Sequence, residues 1–170
     1  MIRALALLSA FALAGCGFHP LYGGLNAGMQ KTLATVYVEP MPDRIGYELR
    51  NKMIDLLDGP GSEQGAAYRL KLELTQTTQG VALQNAATPG ESTVITRYND
   101  TLKVTYTLTD MAGKVVTSGI ETGLSAYNVL PSSPSANYAT LAAQQDADRR
   151  AAEDIAERIR LDLNVFFSKR

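Results

Sequence analysis

The chain contains few residues of the kinds that build disulfides, metal centres and nucleophilic active sites. Its 170 residues include one cysteine (Cys16), one histidine (His19) and no tryptophan. A single cysteine excludes a disulfide within the chain. A Cys–His metal site needs three or four ligands, and no second cysteine or histidine is present. We therefore expect a fold that rests on its own hydrophobic core, with no metal site and no cofactor.

An excess of charge of one sign is also lacking, and so are the motifs of common enzymes. The 16 Lys and Arg residues nearly balance the 17 Asp and Glu residues, which leaves a net charge of −1. This balance offers no overall attraction to the phosphates of a nucleic acid. No Gly-rich phosphate loop follows a predicted strand, and a Ser–His–Asp set would have to use His19, close to the amino-terminal end. We predict that the protein binds no nucleic acid and is not an enzyme.

The amino-terminal stretch MIRALALLSAFALAGC begins with a positive charge and continues with small and apolar residues up to residue 15. This run is shorter than the roughly 20 apolar residues of a membrane-spanning helix, and it is typical of a secretory signal peptide over residues 1–15. Its ending, LAGC, resembles a bacterial lipobox. We expect cleavage between Gly15 and Cys16, with a diacylglycerol and an N-acyl chain such as palmitate on Cys16 for stable anchoring. The alternatives are a buried structural cysteine and a metal-binding pair with His19.

Alternation of apolar and polar residues gives the clearest structural signal in the chain. Residues 68–75 alternate strictly, with the even-numbered residues apolar, which indicates a strand with one buried face. Residues 93–110 repeat the pattern, and residues 114–127 return from a tight turn at 111–113. Connections this short require antiparallel pairing. A further strand is predicted over residues 32–39.

Helical spacing predicts two helices, one from Asp43 to about Leu57 and a long one from about residue 135 to about residue 166. The apolar stripe of the long helix starts at Tyr138 and Leu141. The order β-α-β-β-β-α predicts an α+β two-layer sandwich, in which a mainly antiparallel four-stranded sheet carries both helices on one face. We expect a lipidated amino terminus and tether over residues 16–31 and a single domain over residues 32–170.

The residues after the lipobox resemble the start of LPS-assembly lipoproteins of the LptE family. The stretch Cys16-Gly17-Phe18 is similar to the Cys-Gly-aromatic beginning of family members. The predicted element order and the long carboxy-terminal helix are similar to the family's fold, so the resemblance covers nearly the whole chain after residue 15. The sequence departs from enteric members in having no long polar tail after the last helix, and contacts made by such a tail are not carried over.

This resemblance implies a lipoprotein on the periplasmic face of the outer membrane. Family members plug the β-barrel of LptD, support its assembly and help to deliver lipopolysaccharide to the cell surface, and they are not enzymes. Gly17 is consistent with outer-membrane sorting, because aspartate at that position is the usual signal for inner-membrane retention in enteric bacteria. The implied partners are an LptD-type barrel and lipopolysaccharide. The alternative is a periplasmic transport-auxiliary lipoprotein that binds an inner-membrane transporter system.

Strand parity places four cations on the polar face of the predicted sheet. Arg69 and Lys71 on one strand, and Arg97 and Lys103 on the next, share the parity that points away from the apolar residues. Charge-assisted hydrogen bonds from this face could reach lipid phosphates or acidic groups that line a barrel. These four residues are therefore candidate contacts for lipopolysaccharide or a partner, and the alternative is an ordinary solvated face. The loops at 85–92 and 128–136 are further candidate contacts, with plain connectors as the alternative.

Overall fold

A computed structural model describes residues 27–84, 94–129 and 134–169 of the protein. It has an α+β architecture, which confirms the predicted fold class. The elements in chain order are helix α1 (Ala27–Leu33), strand β1 (Val36–Val38), helix α2 (Arg44–Leu57), strand β2 (Tyr68–Gln84), strand β3 (Val94–Asp110), strand β4 (Val115–Asn128) and helix α3 (Pro134–Ser168).

The four strands form one sheet in the order β1-β2-β3-β4. Strand β1 runs parallel to β2, with Val36 beside Tyr68, whereas β2–β3 and β3–β4 are antiparallel pairs. The sheet is therefore mixed but mostly antiparallel. The turn between β3 and β4 is closed by a 3.0 Å hydrogen bond from the Asp110 N–H to the Lys114 carbonyl. Gly113 in this turn has a φ of 82°, a left-handed conformation that glycine adopts without steric cost.

Helices α2 and α3 cover one face of the sheet and form the hydrophobic core with it. Within each helix the buried residues recur every four positions, so they lie on one side. Burial of each large apolar side chain among them contributes roughly 1.5–3 kcal/mol. The fully buried large side chains from these elements are Leu49, Met53 and Leu57 of α2, Val36, Val38, Leu70, Leu102 and Leu108 of the sheet, and Ile155, Ile159 and Leu163 of α3.

Helix α1 was not predicted, and it begins at Ala27, inside the segment expected to be a tether. The strand predicted over residues 32–39 is wrong at its beginning, because the helix extends to Leu33 and β1 contains three residues only. Leu33 is buried in the core. The Thr32 hydroxyl donates to the Gly28 carbonyl at 3.1 Å, a bond to the preceding turn that threonine makes within helices. Gly28 and the β-branched Thr32, which are poor helix formers, concealed this helix in the sequence.

Helix α3 has 35 residues and is about 52 Å long at the usual rise per residue. Its buried stripe begins later than predicted. Tyr138 and Leu141 are 79% and 50% exposed, so their assignment to the stripe is wrong. Small side chains at Ala136 and Ala147 are buried in this part of the helix instead, and the large apolar residues point outward.

Candidate functional site: the uncovered face of the sheet

The face of the sheet opposite α2 and α3 is not covered by any helix in the described part of the chain. We call it the open face. It consists of the odd-numbered residues of β2 (69–79) and β3 (97–109) and the even-numbered residues of β4 (118–128), which lie opposite one another in the register. Its chemistry is dominated by hydroxyl groups. The threonines on it include Thr75, Thr77, Thr101, Thr105, Thr107 and Thr122.

All four cations predicted from strand parity lie on the open face, and two of them are held in ion pairs. Arg69 pairs with Glu63, and its Nε lies 3.6 Å from Oε1 of Glu39. The Lys71 Nζ lies 2.7 Å from Oε1 of Glu73. The hydrogen bonds that Arg69 donates to Glu63 and Lys71 donates to Glu73 raise the pKa of the two cations. The charge of both cations is thus already compensated within the protein.

Lys71 and Glu73 also line a groove of about 360 Å³ between β2 and the segment that follows β1. The opposite side of this groove includes Glu39 and Asp43. Three carboxylates around one lysine make the groove an acidic environment. The surroundings of Lys71 therefore repel phosphates rather than attract them.

Arg97 and Lys103 are the two cations of the open face that remain available. Both side chains are exposed, and neither makes an ion pair with another described residue. They are six residues apart on β3, which is about 20 Å at the rise of a strand. A single phosphate cannot contact both. The structure therefore does not gather the predicted cations into one cluster, and it leaves two separate positive positions.

Lys103 lies beside two exposed apolar side chains on the neighbouring strand. It is opposite Thr122 in the register, and Ile120 and Leu124 lie two residues to either side of Thr122 on the same face. Ile120 is 56% exposed and Leu124 is 76% exposed. Diagonal neighbours of this kind are about 7–8 Å apart, within reach of one ligand. We call Lys103, Ile120 and Leu124 the Lys103 patch, since they form one amphipathic surface.

Two glycines of β4 determine that the aliphatic part of the patch points outward. A Cβ at Gly123 would lie 2.9 Å from the Ile155 Cδ1 and 3.0 Å from the Ala151 carbonyl oxygen. A Cβ at Gly119 would lie 2.5 Å from the Tyr106 hydroxyl oxygen. The helix-facing side of β4 therefore has no room for side chains at these positions. Because side chains alternate along a strand, the large residues between and after the glycines must face the open side.

The aliphatic residues of the patch were missed in the sequence. An isoleucine and a leucine in a strand are normally assigned to the core, and no parity was assigned to β4. The signal that could have found them is the pair of glycines four residues apart, Gly119 and Gly123. Small residues at that spacing on one side of a strand indicate a close approach of a neighbouring element.

Arg158 of α3 fixes the segment of β4 that carries the patch. Its guanidinium donates a 2.8 Å hydrogen bond to the Thr122 carbonyl and lies 3.8 Å from Oε2 of Glu121. The same guanidinium is paired with Asp154 one turn earlier on the helix. A backbone carbonyl on the outer edge of the sheet is thereby satisfied, and the position of the patch relative to α3 is set.

The predicted cleavage and lipidation sites, Gly15 and Cys16, lie outside the described residues. The loop at 85–92 lies outside them as well, and so do residues 130–133 of the loop at 128–136. None of the described helices combines the length and the apolar character that a membrane crossing requires. Within the same described ranges, His, Cys, Asp and Glu side chains form no group of three or more that could hold a metal ion.

Solved structures of two bacterial lipoproteins are similar to this fold. A protein described as a lipoprotein from Caulobacter crescentus matches with a TM-score of 0.67 at 27% identity, over 85% of this chain and 99% of that one. A minor lipoprotein from Acinetobacter baumannii matches with a TM-score of 0.50 at 19% identity, over 76% and 88% of the two chains, and this likeness concerns the fold alone. Among curated proteins, none matches the chain. The fold is thus one that bacterial lipoproteins adopt.

The family assignment is more specific than the fold. The model of the LptE family, described as lipopolysaccharide-assembly, matches residues 33–163, which run from the end of α1 almost to the end of α3. The protein belongs to the LptE family of lipopolysaccharide-assembly lipoproteins. The resemblance inferred from the start of the chain and from the predicted element order is therefore confirmed, and the matched residues do not include that start.

Proposed function

We propose that the protein is an outer-membrane lipoprotein that plugs an LptD-type β-barrel, supports the assembly of that barrel and helps to deliver lipopolysaccharide to the cell surface. It is anchored at the periplasmic face through acyl chains on Cys16, after removal of residues 1–15. It acts by binding and not by catalysis, and it uses no cofactor. The observation that carries the proposal is the LptE match over residues 33–163, since lipopolysaccharide assembly is the property that defines this family.

The Lys103 patch is the part of the open face that fits lipopolysaccharide best. Lipopolysaccharide carries phosphate groups next to acyl chains, and the patch carries an ammonium group next to Ile120 and Leu124. A lysine–phosphate contact is charge-assisted and stronger than a neutral hydrogen bond. Each methylene that the aliphatic side chains remove from water adds about 0.8 kcal/mol. Arg97, about 20 Å away along the strand, suits a second phosphate or an acidic group of the barrel.

Arg69 and Lys71 belong to the proposed contact surface as secondary positions. Their ion pairs with Glu63 and Glu73 are substantially exposed to solvent, and exposed pairs contribute at most about 1 kcal/mol. A phosphate or a carboxylate of the barrel can therefore replace Glu63 beside Arg69 at little cost, whereas the acidic groove around Lys71 disfavours the same exchange there. We expect weaker effects from their substitution than from substitution of Lys103.

Lipopolysaccharide binding by the full-length protein in detergent tests the assignment of the patch. Reversal of charge in Lys103→Glu is expected to weaken binding at least tenfold, which corresponds to about 1.4 kcal/mol. Lys114→Glu is the matched control, because Lys114 is an exposed cation in the turn between β3 and β4. Leu124→Ser is expected to weaken binding without changing the charge. Equal effects of Lys103→Glu and Lys114→Glu would show that net charge matters and that the patch does not.

A further inference from the structure

A pair of buried aspartates joins α3 to the sheet. Asp100 of β3 is 0% exposed and Asp148 of α3 is 2% exposed, and they are the two buried charged side chains in the described part of the chain. Neither belongs to the open face, since Asp100 points to the helix side of the sheet. A buried carboxylate is costly unless hydrogen bonds and an opposite charge compensate it, so the surroundings of this pair determine its protonation.

The Asp148 carboxylate has two donors, and one of them is shared. Gln76 of β2 donates from Nε2 to Oδ1 at 3.2 Å, and Arg44 of α2 donates to Oδ2 at 3.3 Å. The Arg44 guanidinium also donates to Glu48 at 2.7 Å, and the second oxygen of Glu48 is buried without a partner among the described residues. The positive charge of Arg44 is thus shared by two carboxylates, those of Asp148 and Glu48, and Asp100 is a third carboxylate close by.

Asp100 is within hydrogen-bonding reach of Asp148 but has no donor among the described residues at either of its buried oxygens. Ser125 lies opposite Asp100 on β4, and its hydroxyl is also buried without a partner in the described ranges. Tyr98 and Tyr127 stack nearby with ring centroids 5.7 Å apart. Burial, followed by the charges of the two aspartates, raises the pKa of Tyr127. The neighbouring phenol therefore stays neutral and adds no further negative charge to the cluster.

We propose that Asp148 and Asp100 share one proton, donated by Asp148 to Asp100, and that this proton latches the amino-terminal part of α3 onto the sheet. A protonated Asp148 provides the donor that Asp100 lacks, and it removes the repulsion between two buried carboxylates. The titration of the group supports this arrangement. Burial, and next the charge of Asp100, raises the pKa of Asp148 to about 6, so the proton is lost near neutral pH.

The part of α3 before Asp148 depends on this latch because it buries little else. We call residues 136–146 the latch segment. Its large apolar residues, Tyr138 and Leu141, are exposed, and Ala136 is its one buried apolar side chain. The continuous buried stripe of the helix starts at Ala147 and extends to Leu163. Segments with few buried apolar contacts open at low free energy. Loss of the shared proton therefore favours opening of the latch segment while the rest of α3 stays packed.

Asp148→Asn is the variant that tests the latch. Asparagine is uncharged at every pH, retains an acceptor oxygen and can donate to Asp100, so it imitates the protonated state. Asp146→Asn is the matched control. It removes an acidic charge from the same helix two residues earlier, where the side chain is partly exposed and pairs with Arg149 and Arg150.

The measurement is hydrogen exchange followed by mass spectrometry on the full-length protein in detergent. At about pH 7.5 we expect latch-segment amides in Asp148→Asn to exchange tenfold to roughly 100-fold more slowly than in the wild type. The upper value is the factor that corresponds to a pKa shift of about two units for Asp148. Amides at 150–168 and all amides of Asp146→Asn should match the wild type.

Equal or faster exchange of the latch segment in Asp148→Asn overturns the proposal, and so does an equal slowing in Asp146→Asn. Should Asp148→Asn fail to fold, Asp100→Asn takes its place. That variant removes the neighbouring charge and is expected to slow exchange of the latch segment in the same way. If neither variant folds, the proposal is overturned as well, because the cluster would then require both charges instead of a shared proton.

Discussion

Replacement of Gly123 by alanine tests whether the close packing of α3 on β4 determines the direction of the Lys103 patch. In the interior of a strand, alanine is normally favoured over glycine by roughly 0.5–1 kcal/mol, because glycine loses more conformational entropy on folding. At Gly123 the new Cβ would lie 2.9 Å from the Ile155 Cδ1 and 3.0 Å from the Ala151 carbonyl oxygen. Carbon atoms in favourable contact are about 3.5–4.0 Å apart. The isoleucine methyl can rotate away, but the helix carbonyl cannot.

We therefore expect Gly123→Ala to lower the free energy of unfolding by roughly 1–3 kcal/mol, the usual cost of an overpacked core. The sign of the change in the free energy of unfolding is diagnostic. Where the new Cβ meets no neighbouring atom, replacement of glycine by alanine raises stability or leaves it unchanged. Gly61→Ala is the matched control, because no atom lies within 4 Å of a Cβ built at Gly61. Urea unfolding followed by circular dichroism measures both variants. If Gly123→Ala is as stable as the wild type, the packing explanation for the outward direction of the patch is wrong.

Three further predictions concern the acid pair, the contact between β3 and α3, and the anchor. The stability advantage of Asp148→Asn over the wild type should grow by about 2 kcal/mol as the pH rises from about 4 to about 6, because the folded wild type, with the pKa of Asp148 raised from 3.8 to about 6, binds this proton more tightly than the unfolded chain. Urea unfolding across this range measures the advantage, and a constant or shrinking one would contradict the raised pKa. Tyr106→Phe should lower the free energy of unfolding by about 1 kcal/mol, since the Tyr106 hydroxyl donates to Oδ2 of Asp162 at 2.9 Å. Asp162→Asn keeps an acceptor for this hydroxyl, so it should lower the free energy of unfolding by less in the same assay. Cys16→Ala should abolish metabolic labelling with palmitate, and labelling that persists would refute lipidation at Cys16.

Local periodicity was sufficient to predict the long hairpin of β2 and β3 and the helix α2. In these elements the buried side chains follow a strict period of two or a regular helical spacing, and each element is long enough to show it. Helix α1 could not be found in this way, because it is one short segment with poor helix formers, and it is stabilised by the burial of Leu33 against elements far along the chain. The exposed start of α3 was missed because Tyr138 and Leu141 fit the spacing of a helical stripe, and spacing alone does not show that both side chains remain exposed.

The candidate site could likewise be predicted in part from local sequence patterns, whereas the rest of it depends on contacts between residues that are distant in sequence. Parity along β2 and β3 placed the four cations on one face. Which of them stay available depends on acidic partners such as Glu63, which the chain brings to Arg69 from outside the strand. The burial of Asp148 was likewise not visible, because it depends on Asp100 and Arg44, distant in sequence. In the sequence Asp148 reads as an interruption of an apolar stripe, and in the structure that interruption is the polar contact between helix and sheet.

The partner barrel is the central claim, and affinity purification of the tagged, lipidated protein from detergent-solubilised envelopes tests it most directly. Mass spectrometry of the purified material, with the Cys16→Ala variant in parallel, identifies what is bound. We predict a large, heat-modifiable outer-membrane β-barrel in stoichiometric amount that survives washing. Recovery of the lipoprotein alone, or together with subunits of an inner-membrane transporter, would contradict the plug function and favour the transport-auxiliary alternative.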